Sequence, residues 1–123
     1  MSQDIVSDAL NQIMNAKKAG KNSVFIARHS KLLISLLEVA KKYNYIEGYK
    51  LKENNLEIKF NLNKCQAIKP RFYATVDEID KYVKRFLPAR NFGIIIISTN
   101  KGLITDKEAY EKNTGGSLIA YFY

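Results

Sequence analysis

The chain has 123 residues, 46% of them apolar, with 20 basic against 12 acidic side chains and a formal net charge of +8. That length suits one compact domain or two very small lobes, and the apolar share excludes general disorder. One cysteine, Cys65, excludes an intramolecular disulfide, and the basic excess points to polyanionic partners.

Ile5, Val6, Ala9, Leu10, Ile13 and Met14 recur at helical spacing, between an acidic start at Asp4 and Lys17 and Lys18 at the end. Gly20 breaks that helix, and 23–27 reads as a short strand. Ser30 is the expected N-cap of a second helix burying Leu33, Leu37, Ala40 and Tyr43, with Leu36 at its edge. A hairpin follows: a strand over 46–52, a turn at Glu53-Asn54-Asn55, and an alternating strand over 56–62. Residues 1–62 thus form an α+β lobe, helix–strand–helix–strand–strand, with both helices on one sheet face. Residues 63–92 read as a connector carrying a short strand near Ala67 and a helix near 76–86, with a capping box at Thr75–Glu78 and a stop at Pro88. Residues 93–123 give a mostly β lobe: a strand over 94–98, a polar turn, a strand at Leu103–Ile104, a short helix and a strand over 118–123. Thr105–Glu108 reads as a second capping box, and Gly115 as the C′ residue of the helix it starts.

No phosphate-binding glycine loop occurs. Asp77, Glu78, Asp106 and Glu108 are read as first-turn helix acids, not as acid–base pairs. Cys65 and the sole histidine, His29, make a poor nucleophile pair and too few ligands for zinc. No catalytic residue, metal, cofactor or small-molecule substrate is expected. The start Met1-Ser2-Gln3-Asp4 lacks a basic n-region, and the longest aliphatic run, 94–97, is too short to span a bilayer. A soluble, intracellular protein with no membrane partner is expected.

Charge and turn chemistry say more. Residues 58–76 carry Lys59, Lys64, Lys69 and Arg71 and no acid; residues 81–105 carry Lys81, Lys84, Arg85, Arg90 and Lys101 and no acid. Lys17, Lys18, Lys21, Arg28 and Lys31 form a further basic set near the first strand. Same-sign segments attract phosphates and release counterions on binding. The turns Ser98-Thr99-Asn100-Lys101-Gly102 and Thr114-Gly115-Gly116-Ser117 offer short hydroxyls, amides and bare backbone. Such groups suit the shallow minor groove, 2′-hydroxyls and distorted loops of folded RNA.

The run G-I-I-I-I-S-T-N-K-G-L-I-T-D-K-E-A over 93–109 resembles the signature of the small-ribosomal-subunit protein family numbered eight. Asp8-Ala9-Leu10 and Ser30-Lys31-Leu32 resemble its first two helices, and Gly48 falls in the segment leading to its hairpin. Asn63-Lys64-Cys65, Pro70-Arg71-Phe72, Phe86-Leu87-Pro88, Thr114-Gly115-Gly116 and the aromatic C-terminus are similar to the eukaryotic and archaeal branch. The resemblance implies a non-enzymatic, cytoplasmic constituent of the small ribosomal subunit with neighbouring ribosomal proteins. It implies that the C-terminal lobe binds an irregular helix in the central domain of small-subunit ribosomal RNA, early in assembly. In that reading Ser98, Thr99 and Asn100 meet sugars and base edges, Lys101, Lys64, Lys69 and Arg71 meet phosphates, and Gly102, Gly115 and Gly116 allow close backbone approach. Thr114 and Ser117 complete the second contact, and Arg28 and Lys31 add a weaker one. A translational regulator that binds a messenger RNA mimic through the same face is the alternative. Three features depart from the family: Ser117 stands where many bacterial members carry an acid, Asn100 where a small residue is common, and the hairpin turn at 53–55 is short.

Overall fold

A computed structural model describes residues 5–27, 30–52, 55–68, 73–88 and 92–123. The chain divides into two compact units, Met1–Gln66 and Ala67–Tyr123.

In the first unit, α1 (Ile5–Lys18) buries Val6, Ala9, Leu10, Ile13 and Ala16, the stripe its spacing predicts. After β1 (Ser23–Ile26), Ser30 caps α2 (Lys31–Lys42): its hydroxyl accepts the Leu33 N–H at 3.2 Å, satisfying a donor with no partner inside the helix. The expected hairpin is β2 (Ile46–Lys52) and β3 (Asn55–Phe60), and Glu53 and Asn54 of its turn lie outside the described residues. The sheet runs β1-β3-β2, all antiparallel. Leu56, Ile58 and Phe60 are buried and Lys59 is exposed, as period-two alternation requires. Cys65, which opens β4 (Cys65–Ala67), is held in this unit: its thiol donates to the Leu10 carbonyl at 3.6 Å. Burial pushes that thiol up to about 12, so it stays protonated and is no nucleophile.

The second unit is built on one sheet. β8 (Gly116–Phe122) lies between β6 (Ile94–Thr99) and the short β5 (Tyr73–Ala74), and β7 (Gly102–Thr105) pairs the outer side of β6. α3 (Val76–Phe86) inserts Ile79 and Val83 into a core with Ile95, Ile97, Leu118 and Tyr121, and Phe86 stacks on Tyr121 at 5.3 Å. Glu78 reaches back to the Thr75 N–H at 3.0 Å, the reciprocal arm of the expected capping box, and that bond holds its carboxyl below the usual range. α4 (Asp106–Lys112) starts on Thr105, whose hydroxyl accepts the Glu108 N–H at 3.3 Å.

One expectation is corrected. Asn113, not Gly115, takes the left-handed position that ends α4, with φ 52°. Asparagine tolerates that conformation, which frees the Gly115-Gly116 pair for another purpose.

Candidate nucleic-acid interface

Cross-strand pairing sets the floor of the site. Tyr73 lies opposite Ser117, Ser117 opposite Ser98, and Ser98 opposite Leu103. Directly opposed residues share a sheet face, so one aromatic ring and two hydroxyls form a row across β5, β8 and β6.

The β6–β7 turn rises at one end of this row. Thr99 pairs with Gly102, leaving Asn100 and Lys101 at the tip, both exposed. Gly102 has φ +119°, and neither tip residue has a positive φ, so this is the three-residue loop that puts glycine last. The Thr99 hydroxyl donates to the Gly102 carbonyl at 2.8 Å and accepts the Lys101 N–H at 3.2 Å. Thr99 therefore organises the turn with its own hydroxyl, and only one lone pair is left for a ligand. Asn100 and Lys101 carry the outward chemistry.

The α4–β8 connection forms the facing wall. The Thr114 hydroxyl donates to the Lys112 carbonyl at 3.1 Å. Gly115 and Gly116 then bring the backbone down onto the sheet. A Cβ on Gly115 would run into the Ala74 carbonyl and lie 2.9 Å from the Thr75 Cα; one on Gly116 would run into the Ser98 carbonyl. Their bare backbone lets β8 start between β5 and β6.

Together these residues enclose a cleft of about 560 Å³ lined by Ser98, Thr99, Asn100, Lys101, Asn113, Thr114, Gly115, Gly116, Ser117 and Tyr73. Eight of the residues singled out from sequence thus converge on one place, and Gly102 closes the adjoining turn. Lys31, exposed at the start of α2, and the half-buried Lys64 belong to the first unit and do not line the cleft. Arg28, Lys69 and Arg71 lie outside the described residues. Sequence reasoning placed Asn113 at the start of the second polar turn without naming it as a contact, and missed Tyr73. The signal for Tyr73 was its place next to the basic run ending at Arg71, a pairing of aromatic and cationic residues that suits stacking on bases.

Among the described residues no carboxylate lines the cleft, and Lys101 and Tyr73 are the titratable side chains that do. It offers donors, short hydroxyls, one ammonium and one ring, a set suited to sugars and phosphates and not to acid–base turnover. Among the described residues no group of three or more His, Cys, Asp or Glu side chains could hold a metal ion, and no helix is long and apolar enough to cross a membrane.

Fold and cleft define a small, basic α+β protein with a polar cleft and, among the described residues, no catalytic constellation. The family model for ribosomal protein S8 matches residues 4–123, and the chain belongs to that family. It is similar to the small ribosomal subunit protein uS8 of Archaeoglobus fulgidus, 43% identical over 129 residues spanning 100% of both chains. The same protein of Nanoarchaeum equitans is also 43% identical over 129 residues and 100% of both chains. That of Neurospora crassa is 37% identical over 125 residues, 97% of this chain and 96% of the relative. The expected kinship with archaeal and eukaryotic members is borne out, and the chain is a structural ribosomal protein, not an enzyme.

Proposed function

We propose that this chain is a cytoplasmic constituent of the small ribosomal subunit that binds the central domain of small-subunit ribosomal RNA directly and supports assembly and translation. The observation that carries this reading is the convergence of two polar turns and Tyr73 on one cleft that no carboxylate lines among the described residues. An RNA helix of regular A-form hides its base edges in a deep groove. A distorted helix offers an open minor groove, 2′-hydroxyls and an unstacked base. Ser98, Ser117 and Asn100 match the sugar and base-edge groups, Lys101 matches a phosphate, and the Tyr73 ring matches the face of an unpaired base. Lys64, Lys69, Arg71, Arg28 and Lys31 are assigned to further phosphates. Neighbouring small-subunit proteins complete the proposed surroundings.

The test is a titration of the full chain against the central-domain helix of its own small-subunit RNA and against a scrambled duplex of equal length. Clear preference for the cognate helix is expected, reduced about tenfold by Tyr73→Ala, the loss of one stacked base. Equal, weak binding to both duplexes would leave only a basic surface and overturn the assignment.

A further inference from the structure

The first unit carries a second surface that the cleft does not use. Its sheet buries Ile26, Ile46, Leu56, Ile58 and Phe60 on one face. The other face presents the alternate residues of each strand. In one row Phe25 lies opposite Glu57 and Glu57 opposite Lys50; in the next, Ser23 lies opposite Lys59 and Lys59 opposite Gly48; in a third, Lys52 lies opposite Asn55. Phe25 is 61% exposed, and Lys50, Lys52 and Lys59 are exposed. Gly48, without a side chain, leaves a depression lined by Lys41, Tyr49, Lys50, Glu57 and Lys59.

We propose that this open sheet face binds single-stranded RNA, one base stacking on Phe25 while Lys50 and Lys59 hold the flanking phosphates. The reading goes beyond the cleft, and it stands on residues of the other unit. A single exposed apolar side chain needs no explanation on its own. Here the ring lies directly opposite one carboxylate on a pleated face that also carries three lysines, the kind of surface by which sheets stack bases and track a backbone. An acidic peptide would satisfy the lysines and leave the ring facing water; a nucleotide satisfies both. The row also sets a preference. Glu57, next to the ring, is an acceptor only, so it favours a base that presents an exocyclic amino group. Cytosine has that group where uracil has a carbonyl.

The experiment uses the full chain and two short single-stranded probes, oligocytidylate and oligouridylate of equal length, at fixed salt. Oligocytidylate is expected to bind more tightly. Phe25→Ala should weaken it about tenfold or more, and Phe25→Tyr should restore it. The double variant Lys50→Gln, Lys59→Gln should lower the slope of log K against log salt by about 1.4, the release of two counterions from a single strand. Because the Phe25 ring is exposed, its variants are expected to melt with the wild type. They should also keep the wild-type affinity for the cognate helix, which separates this surface from the cleft. Undiminished oligocytidylate binding by Phe25→Ala would overturn the proposal, as would failure of the wild type to bind either probe. Displacement of oligocytidylate by polyglutamate equally well from wild type and Phe25→Ala would also overturn it and assign the face to an acidic protein. Equal affinity for the two probes would remove the role given to Glu57.

Discussion

At Gly116 the space that a side chain would need is already filled. The Ser98 carbonyl blocks the Cβ position, and the Cγ2 of the fully buried Ile97 lies 2.9 Å from it. The carbonyl is held by strand pairing and the methyl by core packing, so neither can swing away as a flexible chain end would. Gly116→Ala should therefore cost about 1–3 kcal/mol through forced displacement of β6 or β8. Urea titration would show it as a lower midpoint at unchanged slope. A midpoint equal to wild type would mean that the strands yield easily and that the glycine is kept for ligand approach alone. The glycine pair is conspicuous in the sequence, but its reason is not. Read locally, Gly115 looked like a helix terminator; what demands glycine there is the carbonyl of Ala74, which no local pattern can place. Thr99 shows the same limit, since its hydroxyl was assigned outward while the folded turn uses it inward.

The strand and helix pattern was legible because each element has its own signal. Alternation marked β3, the helical stripe marked α1, Ser30 marked the start of α2, and the isoleucine run marked β6. What joins elements was less legible, and Asp106 is the best example. Read as a first-turn acid, it also accepts the Ile95 N–H at 3.2 Å and is 5% exposed, so it ties the start of α4 to β6. Burial pushes its carboxyl above the usual range, although hydrogen bonds from Ile95 and from its own helix start act in the opposite direction. Asp106→Ala should leave the Ile95 N–H buried without a partner and cost about 1–3 kcal/mol, whereas Asp106→Asn keeps an acceptor and should cost less. The raised value also fixes a pH dependence. The folded chain holds this proton to higher pH than the unfolded chain, so the contribution of Asp106 is fully present below its ordinary value of 3.8 and declines as pH rises through the folded value. Denaturant midpoints of wild type and Asp106→Asn, compared from acid to neutral pH, should show the wild type losing ground as pH rises. A constant difference would mean that Asp106 ionises in the folded chain as it does in the unfolded one.

Over the whole molecule, a net charge of +8 attracts any polyanion, so affinity alone says little about recognition. Salt separates the two. Each phosphate neutralised releases condensed counterions, which makes log K fall linearly with log salt for cognate and scrambled helices alike. Lys101 at the tip of the β6–β7 turn is exposed; if it meets a phosphate as proposed, Lys101→Gln should flatten that slope by about one on the cognate helix. Asn100→Ala removes an uncharged group from the same tip. It should leave the slope as it was and lower the cognate-to-scrambled ratio, by about five- to a hundredfold if the amide meets a base edge in both directions. The two variants sit side by side on one turn, so a general loosening of that turn would change both readouts in both proteins. Separate effects, one on slope and one on ratio, would show that the long-range field brings RNA to the molecule and that the cleft selects it. If Asn100→Ala altered the slope and not the ratio, the tip would be an electrostatic contact only, and selection would have to come from the Tyr73–Ser117–Ser98 row beneath it.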